Sequence, residues 1–303
     1  MNKTISYKLA FLILTATLTA VVNLTITLPA FATYLTINGS SSIVATVEDG
    51  KVKLSGTYQI ENNGDEKAQN VFPSMRLGKW AWAGEPHSIE QKSRQIWPIE
   101  ATFALDLLRH VNSDPSAEQE LPTKGQFPLV IHRHYEDLNG VHFSAADVLA
   151  MTIGSLTEEE LSDVRIPQVN SNLQCEGNGK NFTCTLDIRN LSDSKKKISV
   201  DYHTSQELQI KSPPQVVDLE TRGQKLLEIN VENIAGLSGS GYAVFAILQW
   251  SDNGISKESS VARVVNIKEP DHSAWWIGGG MGAILLSVFL LYYFVFRNPK
   301  KSR

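Results

Sequence analysis

The chain has 303 residues, which is room for about two domains. Hydrophobic residues make up 42% of it and charged residues 20%, a balance that is typical of a folded protein and excludes wholesale disorder. The net charge of -4 gives no general attraction to nucleic acid, and no basic patch with interleaved aromatic residues occurs in the middle of the chain. Nucleic acid is therefore excluded as a partner.

The start of the chain, residues 1–32, predicts a secretory signal peptide. Lysines precede a long apolar run, and Ala30 and Ala32 occupy the small-x-small positions that signal peptidase recognises, so we expect cleavage after Ala32. The alternative is an uncleaved anchor helix, because the run is longer than a usual signal core. Asn23 and Pro29 would weaken such a helix, which favours cleavage.

Residues 33–156 predict a first β-sandwich domain, which contains the segment VKLSGTYQIENNGDEKAQNV. Four apolar residues of this segment share one face of a strand: Val52, Leu54, Tyr58 and Ile60. The Asn-Asn-Gly-Asp cluster that follows suits a tight turn, and a second apolar run begins after it. The pattern predicts a strand, a hairpin turn and a second strand.

Three tryptophans of the first domain are candidate binding residues: Trp80, Trp82 and Trp97. They lie in or beside a stretch that makes this domain longer than the second one. Aromatic rings on the loops of a β-sandwich suit sugar stacking or protein contacts. The alternative is burial in the core, which we expect above all for Trp97, because a strand over RQIWPIE would turn this side chain inward.

Three histidines form a candidate metal site. His132 and His134 are two residues apart on a predicted strand and so share one face, while His142 and Asp137 lie near the following hairpin turn. Imidazoles at this spacing can bind zinc or copper when a third ligand is nearby. The alternative is a polar, solvent-facing strand that happens to contain histidines.

Residues 157–169 predict a linker with a short helical turn. Thr157 and Glu160 have the spacing of a capping box, which favours a helix start. Pro167 then returns the chain to an extended conformation.

Residues 170–268 predict a second domain that repeats the first. The segment FTCTLDIRNLSDSKKKISVDY also runs a strand into a polar turn and a second strand. When the two segments are aligned, four pairs coincide: Ile60 with Ile188, Asn62 with Asn190, Asp65 with Asp193, and Lys67 with Lys195. Later in each domain an aromatic strand end, Tyr135 or Trp250, precedes an acidic residue and an Asn-Gly turn. Two unrelated hairpins could share this turn chemistry, but the common order and spacing favour two copies.

About seven short strands in each segment are typical of an immunoglobulin-like β-sandwich. The second segment, with LDIRNLSDSKKKISV and GYAVFAILQW, resembles the immunoglobulin-like modules of bacterial surface and carbohydrate-associated proteins over about 95 residues. The resemblance implies a fold rather than a function. We therefore predict an all-β protein with two immunoglobulin-like β-sandwich domains and one C-terminal transmembrane helix, similar to bacterial membrane-anchored proteins with tandem modules of this kind.

The two cysteines of the chain, Cys175 and Cys184, flank the segment EGNGKNFT at the start of the second domain. A Gly-rich turn between two short strands would place the pair face to face, and an exported location permits a disulfide. Free thiols or a metal site are the alternatives, and the metal site is disfavoured because no histidine lies within a few residues.

After a short juxtamembrane linker, 269–273, residues 274–296 form an uncharged apolar run of 23 residues. As a helix this run would reach about 34 Å, enough to span a bilayer core of roughly 30 Å. Aromatic pairs mark both of its ends, and the basic tail 297–303 predicts a cytoplasmic C-terminus. We expect a single pass through the plasma (inner) membrane with both domains outside the cytoplasm. Gly278 and Gly282 have the small-xxx-small spacing that would let two copies of the helix form a homodimer, although glycine is also common in such helices.

The chain contains no Gly-rich phosphate loop, nucleophile elbow or His-Glu-x-x-His motif, so we expect neither an enzyme nor a cofactor. We favour a non-enzymatic, single-pass cell-envelope protein whose two domains are an extracytoplasmic binding or scaffold module, an accessory subunit of a membrane complex. Its partners would be the membrane and another envelope protein. The alternative is a surface protein that binds or processes glycans through the loop with Trp80 and Trp82.

Overall fold

Alternation of buried and exposed side chains runs through most of the chain and produces an all-β protein. The computed structural model describes residues 35–108, 124–177 and 179–268. Within these residues there are sixteen strands, one α-helix, and one 3-10 helix at Leu105–Leu108. None of the helices in these ranges has the length and apolarity needed to cross a membrane. The predicted signal peptide, the predicted transmembrane helix with Gly278 and Gly282, and the basic tail lie outside the described residues.

The first eight strands form two sheets around one hydrophobic core. They are β1 (Ile37–Glu48), β2 (Lys51–Asn62), β3 (Ala68–Leu77), β4 (Trp80–Ala83), β5 (His87–Ile89), β6 (Ser93–Ala104), β7 (Lys124–Glu136) and β8 (His142–Ile153). One sheet has the order β1-β2-β6, and the other has β4-β3-β7 with β8 on the far side of β7 and β5 beside β3. Val52, Leu54, Tyr58 and Ile60 of β2 all point into the core, as their alternation predicts.

The last eight strands form a second pair of sheets around a separate core. They are β9 (Val169–Gly177), β10 (Asn181–Asn190), β11 (Lys196–Thr204), β12 (Leu208–Ile210), β13 (Gln215–Leu219), β14 (Gln224–Asn233), β15 (Gly241–Asp252) and β16 (Ile255–Asn266). The sheet orders are β12-β14-β10-β9 and β13-β11-β15-β16. The first of these sheets has the ABED order of immunoglobulin-like sandwiches, and the second contains the CFG order with β13 added beside β11. The exact domain boundaries stay a prediction.

The sequence match between the two domains has a structural counterpart in a buried asparagine that ends the second strand of each sandwich. In the first sandwich, Asn62 Nδ2 donates to the carbonyl oxygens of Glu66 (2.6 Å) and Ile89 (3.2 Å). The same side chain accepts a hydrogen bond from the Gly64 backbone N–H at 3.0 Å. One amide group therefore closes the β2–β3 turn and attaches it to the β5–β6 turn.

Asn190 of the second sandwich makes the equivalent set of bonds. Its Nδ2 donates to the carbonyl oxygens of Ser194 (2.7 Å) and Glu220 (2.9 Å), and its Oδ1 accepts from the Ser192 backbone N–H at 3.0 Å. The partners two and four positions further on match those of Asn62. The Asn-Gly turns that the two domains share in sequence also occupy equivalent places in the structure. Each lies in the turn of the last hairpin of its sandwich, β7–β8 or β15–β16.

The predicted linker contains a helix, α1 (Glu158–Arg165), between the two sandwiches in the chain. Its capping box is confirmed: Thr157 Oγ1 accepts from the Glu160 backbone N–H, and the Glu160 carboxylate accepts from the Thr157 backbone N–H. The two sandwiches are also joined by strand pairing. β16 runs parallel to β7, with Ile255 opposite Lys124 and Ser256 opposite Gly125, so one sheet continues from the first sandwich into the second.

Candidate functional site at the junction of the two sandwiches

The outer faces of the two central sheets meet where the sandwiches join. On β7, Leu129 and Ile131 point into the first core, so the intervening Val130 points outward, and yet Val130 is buried. On β15, Ile247 is likewise buried although it belongs to neither core. Both side chains line one small cavity between the sandwiches. The junction is therefore a packed interface rather than a loose linker contact.

A buried carboxylate connects the sandwiches at one end of this interface. Glu207, just before β12, accepts hydrogen bonds from the backbone N–H of Ser144 on β8 at 2.5 Å and from the Ser144 hydroxyl at 2.9 Å. The Ser144 Oγ in turn accepts from the Gln206 backbone N–H at 2.7 Å. Glu207 and Ser144 are both at least 96% buried. Hydrogen bonds to a charged group in such an environment are stronger than neutral ones and geometrically specific.

Helix α1 connects the sandwiches at the other end. Glu160 pairs with Lys124 at the start of β7 (2.5 Å), and Asp163 pairs with Lys257 on β16 (2.6 Å). Lys257 is almost completely buried, and Asp252 lies 3.4 Å from the same ammonium group. The helix therefore contacts a basic side chain of each sandwich and restricts their relative orientation.

Between these two connections lies a cleft of about 500 Å³, which we call the junction cleft. It is lined by Ser74, Met75, Arg76, Ala81, Trp82, Ala83, Val130, His132 and His203. All of these belong to β3, β4 and β7 of the first sandwich except His203, which β11 of the second sandwich contributes. Arg76 is exposed and gives the cleft a permanent positive charge.

Three imidazoles cluster at this cleft. The ring of His132 lies 6.2 Å from the ring of His134 and 6.5 Å from that of His203, measured between centroids. His134 Nε2 is hydrogen-bonded to Ser74 Oγ at 2.9 Å, and its ring stacks on Phe72. His203 Nε2 lies 3.3 Å from Asp201 Oδ2.

Burial keeps two of these imidazoles neutral at physiological pH. The pKa of His132 is lowered to about 4, mainly by burial and to a smaller extent by the neighbouring His203, His134 and Arg76. Burial also lowers the pKa of His134, although the Glu207 carboxylate acts against this effect. The cleft therefore combines neutral imidazoles, which both donate and accept hydrogen bonds, with the Arg76 cation.

Comparisons with known proteins do not place the chain in a family. No protein-family model matches it, and no curated protein matches it. Among solved structures, it is similar to Escherichia coli alpha-2-macroglobulin in its native conformation, with 12% identity and a TM-score of 0.29 over 76% of this chain and 17% of that one. It is also similar to the YadV chaperone, with 12% identity and a TM-score of 0.29 over 75% of this chain and 99% of that one.

A third similar structure is the Salmonella enterica complex of SafA pilin with the SafB chaperone, with 10% identity and a TM-score of 0.27 over 77% of this chain and 97% of that one. This chain thus spans about a sixth of the macroglobulin, the first of the three. At TM-scores this low, the similarities assign neither a family nor a function.

The predicted tryptophan site is divided between a strand edge and a core. Trp80 and Trp82 share one face of β4, are partly buried and pack against the first core, where Trp80 stacks on Phe103. Trp97 is buried in that core, and its Nε1 donates to the Glu85 carbonyl oxygen at 2.9 Å. Of the three tryptophans, Trp82 is the one that reaches the junction cleft.

The predicted histidine site is also divided. His132 and His134 are together, as their spacing predicts, but His142 lies at the start of β8 opposite Glu136, with its Nδ1 2.8 Å from that carboxylate. Within residues 35–108, 124–177 and 179–268, no group of three or more His, Cys, Asp or Glu side chains is arranged to hold a metal ion. The third imidazole near the pair is His203, which no spacing rule connects to the other two.

The predicted disulfide is confirmed. Cys175 on β9 and Cys184 on β10 are directly opposite in the antiparallel pair and are bonded to each other. Cys184 belongs to the second core. The bond joins an edge strand to the strand beside it and lies away from the junction cleft.

Proposed function

We propose that the protein is a non-enzymatic, single-pass envelope protein whose paired sandwiches bind a segment of another envelope protein in the junction cleft. The observation that carries this proposal is the cleft itself, which is bounded by two sandwiches held in a fixed relation. Arg76 supplies a charge, His132 and His203 supply donors and acceptors, and Trp82 supplies apolar surface. Such a mixture suits an extended peptide with an acidic or C-terminal carboxylate group better than it suits a catalytic step.

The fixed geometry supports binding because a preformed cleft loses little conformational entropy when a partner enters. The Ser144–Glu207 and Lys257–Asp163 contacts reduce the hinge motion between the sandwiches. The signal peptide and the apolar span predicted from the sequence would place this cleft outside the cytoplasm and near the membrane. An accessory subunit of a membrane complex fits these features.

The first experiment is purification of the full-length protein from its own membranes in mild detergent, followed by mass spectrometry of the proteins that accompany it. We expect a stoichiometric membrane partner. Arg76→Ala combined with His203→Ala should release this partner, because the two changes remove the charge and the second-sandwich wall of the cleft. Arg94→Ala is the matched control, since Arg94 is exposed on β6, in the sheet that does not line the cleft.

Two results would count against the proposal. Purification of the protein alone would contradict the accessory-subunit role, and a partner retained by the Arg76→Ala, His203→Ala variant would place the binding surface elsewhere. In the first case, a glycan screen with the full chain and with Trp82→Ala would test the alternative function. Alkaline carbonate extraction of the membranes tests the predicted anchor independently, because an anchored chain stays in the pellet.

A further inference from the structure

Both ends of the described body lie at the same end of the sandwiches. β16 ends at Asn266, which is paired with Gly241 at the start of β15, and Lys268 follows two residues later. β1 begins at Ile37, which is paired with Asn62 at the end of β2.

Because β7 and β16 pair in parallel, the β7–β8 turn lies at the same end of the sandwiches as the C-terminal end of β16. Ile255 at the start of β16 is opposite Lys124 at the start of β7, and the two strands then run 12 and 13 residues in the same direction. A second contact agrees: Ser144 near the start of β8 binds Glu207, whose carbonyl oxygen accepts from the Ile234 backbone N–H at 3.0 Å. The β7–β8 turn and the β14–β15 loop are therefore on one end.

The start of the first sandwich reaches the same end. The Leu138 backbone N–H in the β7–β8 turn donates to the Glu66 carboxylate at 2.9 Å, in the turn that follows β2. The Asn63 backbone N–H, also in that turn, donates to the Thr36 carbonyl oxygen at 2.8 Å. We call this common end, formed by residues 137–141, 234–240 and Lys268, the exit end.

Large apolar side chains are exposed in both loops of the exit end. Leu138 is 56% exposed and Val141 41%, in the β7–β8 turn, while Ile234 is 58% and Leu237 43%, in the β14–β15 loop. No acidic residue lies between Leu138 and Val141 in the sequence. The carboxylate of the preceding Asp137 accepts hydrogen bonds from the backbone N–H groups of Asn139 and Val141 in its own turn. Four exposed large apolar side chains in two loops at one end of the protein are typical of a surface that contacts a partner.

We propose that the exit end rests on the lipid bilayer, with these four side chains inserted at the level of the headgroups. This inference rests on the membrane anchoring in the proposed function and adds the orientation of the two sandwiches relative to the bilayer. The occupant is argued from the chain itself: Lys268 precedes the predicted span at residue 274 by six residues, which reach at most about 20 Å when fully extended. The exit end therefore lies close to the bilayer, where apolar loop residues find a partner without any second protein.

The test uses the full chain in nanodiscs of phosphatidylcholine and phosphatidylglycerol, with a single cysteine carrying an environment-sensitive fluorophore. The chain has only two cysteines, and they form the disulfide, so Leu138→Cys and Leu237→Cys each introduce one reactive thiol. Leu191→Cys is the matched control. Leu191 is 40% exposed and follows the end of β10 that is furthest from the exit end.

We expect doxyl-labelled lipid to quench the fluorophore at positions 138 and 237 by about twofold or more, and iodide in the buffer to quench it at position 191 instead. Quenching by iodide alone at 138 and 237 would overturn the inference. Protection from both quenchers would also overturn it, since a second copy of the chain would then cover the loops. A chain that does not enter the nanodiscs contradicts the anchor and this inference together, whereas an inserted chain with water-exposed labels contradicts this inference alone.

Discussion

Asn62 and Asn190 show how a single buried side chain can determine a turn. Each amide uses one donor and its oxygen within its own turn and its second donor on a neighbouring turn, which an aspartate could not do because it has no N–H. We expect Asn62→Ala or Asn190→Ala to lower the free energy of unfolding by about 2 to 4 kcal/mol, because backbone groups would lose their partners. Urea denaturation measures this loss. Asn172→Ala, on an exposed site of β9, should change stability little, and an equal loss there would contradict the argument.

Glu258 is a partly buried residue whose carboxyl Oε2 is buried, and this has an expected effect on pH-dependent stability. Burial raises its pKa to about 7, and within the described ranges its Oε2 has no hydrogen-bond partner. Between about pH 4.5 and 7 the folded state holds a proton that the unfolded state releases, so stability falls as the pH rises through this window. Glu258→Gln should remove this loss and stabilise the protein at pH 8 by about 3 kcal/mol. Urea midpoints from pH 4.5 to 8 test this expectation, and an unchanged pH profile in the variant would refute it.

The effect of His132 on stability has the opposite dependence on pH. Because its pKa is lowered to about 4, the unfolded state binds a proton between pH 6.5 and 4 that the folded state does not, so stability falls as the pH falls. His132→Asn should reduce the acid-side loss by about 3 kcal/mol between pH 7 and 4.5. Thermal melts across this range measure the slope. His87→Asn, at an exposed position on β5, should leave the slope as in the wild type.

Helix α1 is the element that joins the two sandwiches, and its contact with Lys257 can be tested by a double-mutant cycle. Asp163→Ala leaves the buried ammonium group with Asp252 as its remaining acidic neighbour. Since Asp163 is itself partly exposed, we expect a loss of about 1 to 3 kcal/mol, and Lys257→Met in the same chain should recover most of it. Glu159→Ala, at an exposed position of the same helix, is the control. No recovery in the double variant would show that the pair does not interact as described.

At the scale of elements, sequence patterns predicted the features whose partners are close in the chain. The hairpins, the capping box at Thr157 and the Cys175–Cys184 pair all form within about ten residues, where turn and cap chemistry is specific. The junction could not be predicted in this way. His203 and Glu207 meet His132 and Ser144 only because β7 and β16 pair, and two residues of parallel pairing leave no recognisable pattern in the sequence. The same limit explains why the sequence left open whether Trp80 and Trp82 lie on the surface or pack against the core.

At the scale of the whole molecule, the two sandwiches form a single compact unit, and Glu207 couples them directly. Its carboxylate accepts both the backbone N–H and the hydroxyl of Ser144 in a site where water cannot replace it. Glu207→Ala would leave these donors unsatisfied and should weaken the coupling by about 1 to 3 kcal/mol.

Hydrogen exchange followed by mass spectrometry separates this coupling from general stability, because peptides from each sandwich report on that sandwich alone. In the wild type, we expect the most protected amides of β7 and β15 to exchange with the same free energy, as a cooperative unit requires. In Glu207→Ala, the exchange free energies of β7 and β15 should differ, because one sandwich would open before the other. In Glu228→Ala, at an exposed position of β14, the exchange free energies of the two strands should stay equal. Strands that exchange independently in the wild type would contradict the fixed relation of the sandwiches, and with it the preformed cleft on which partner binding depends.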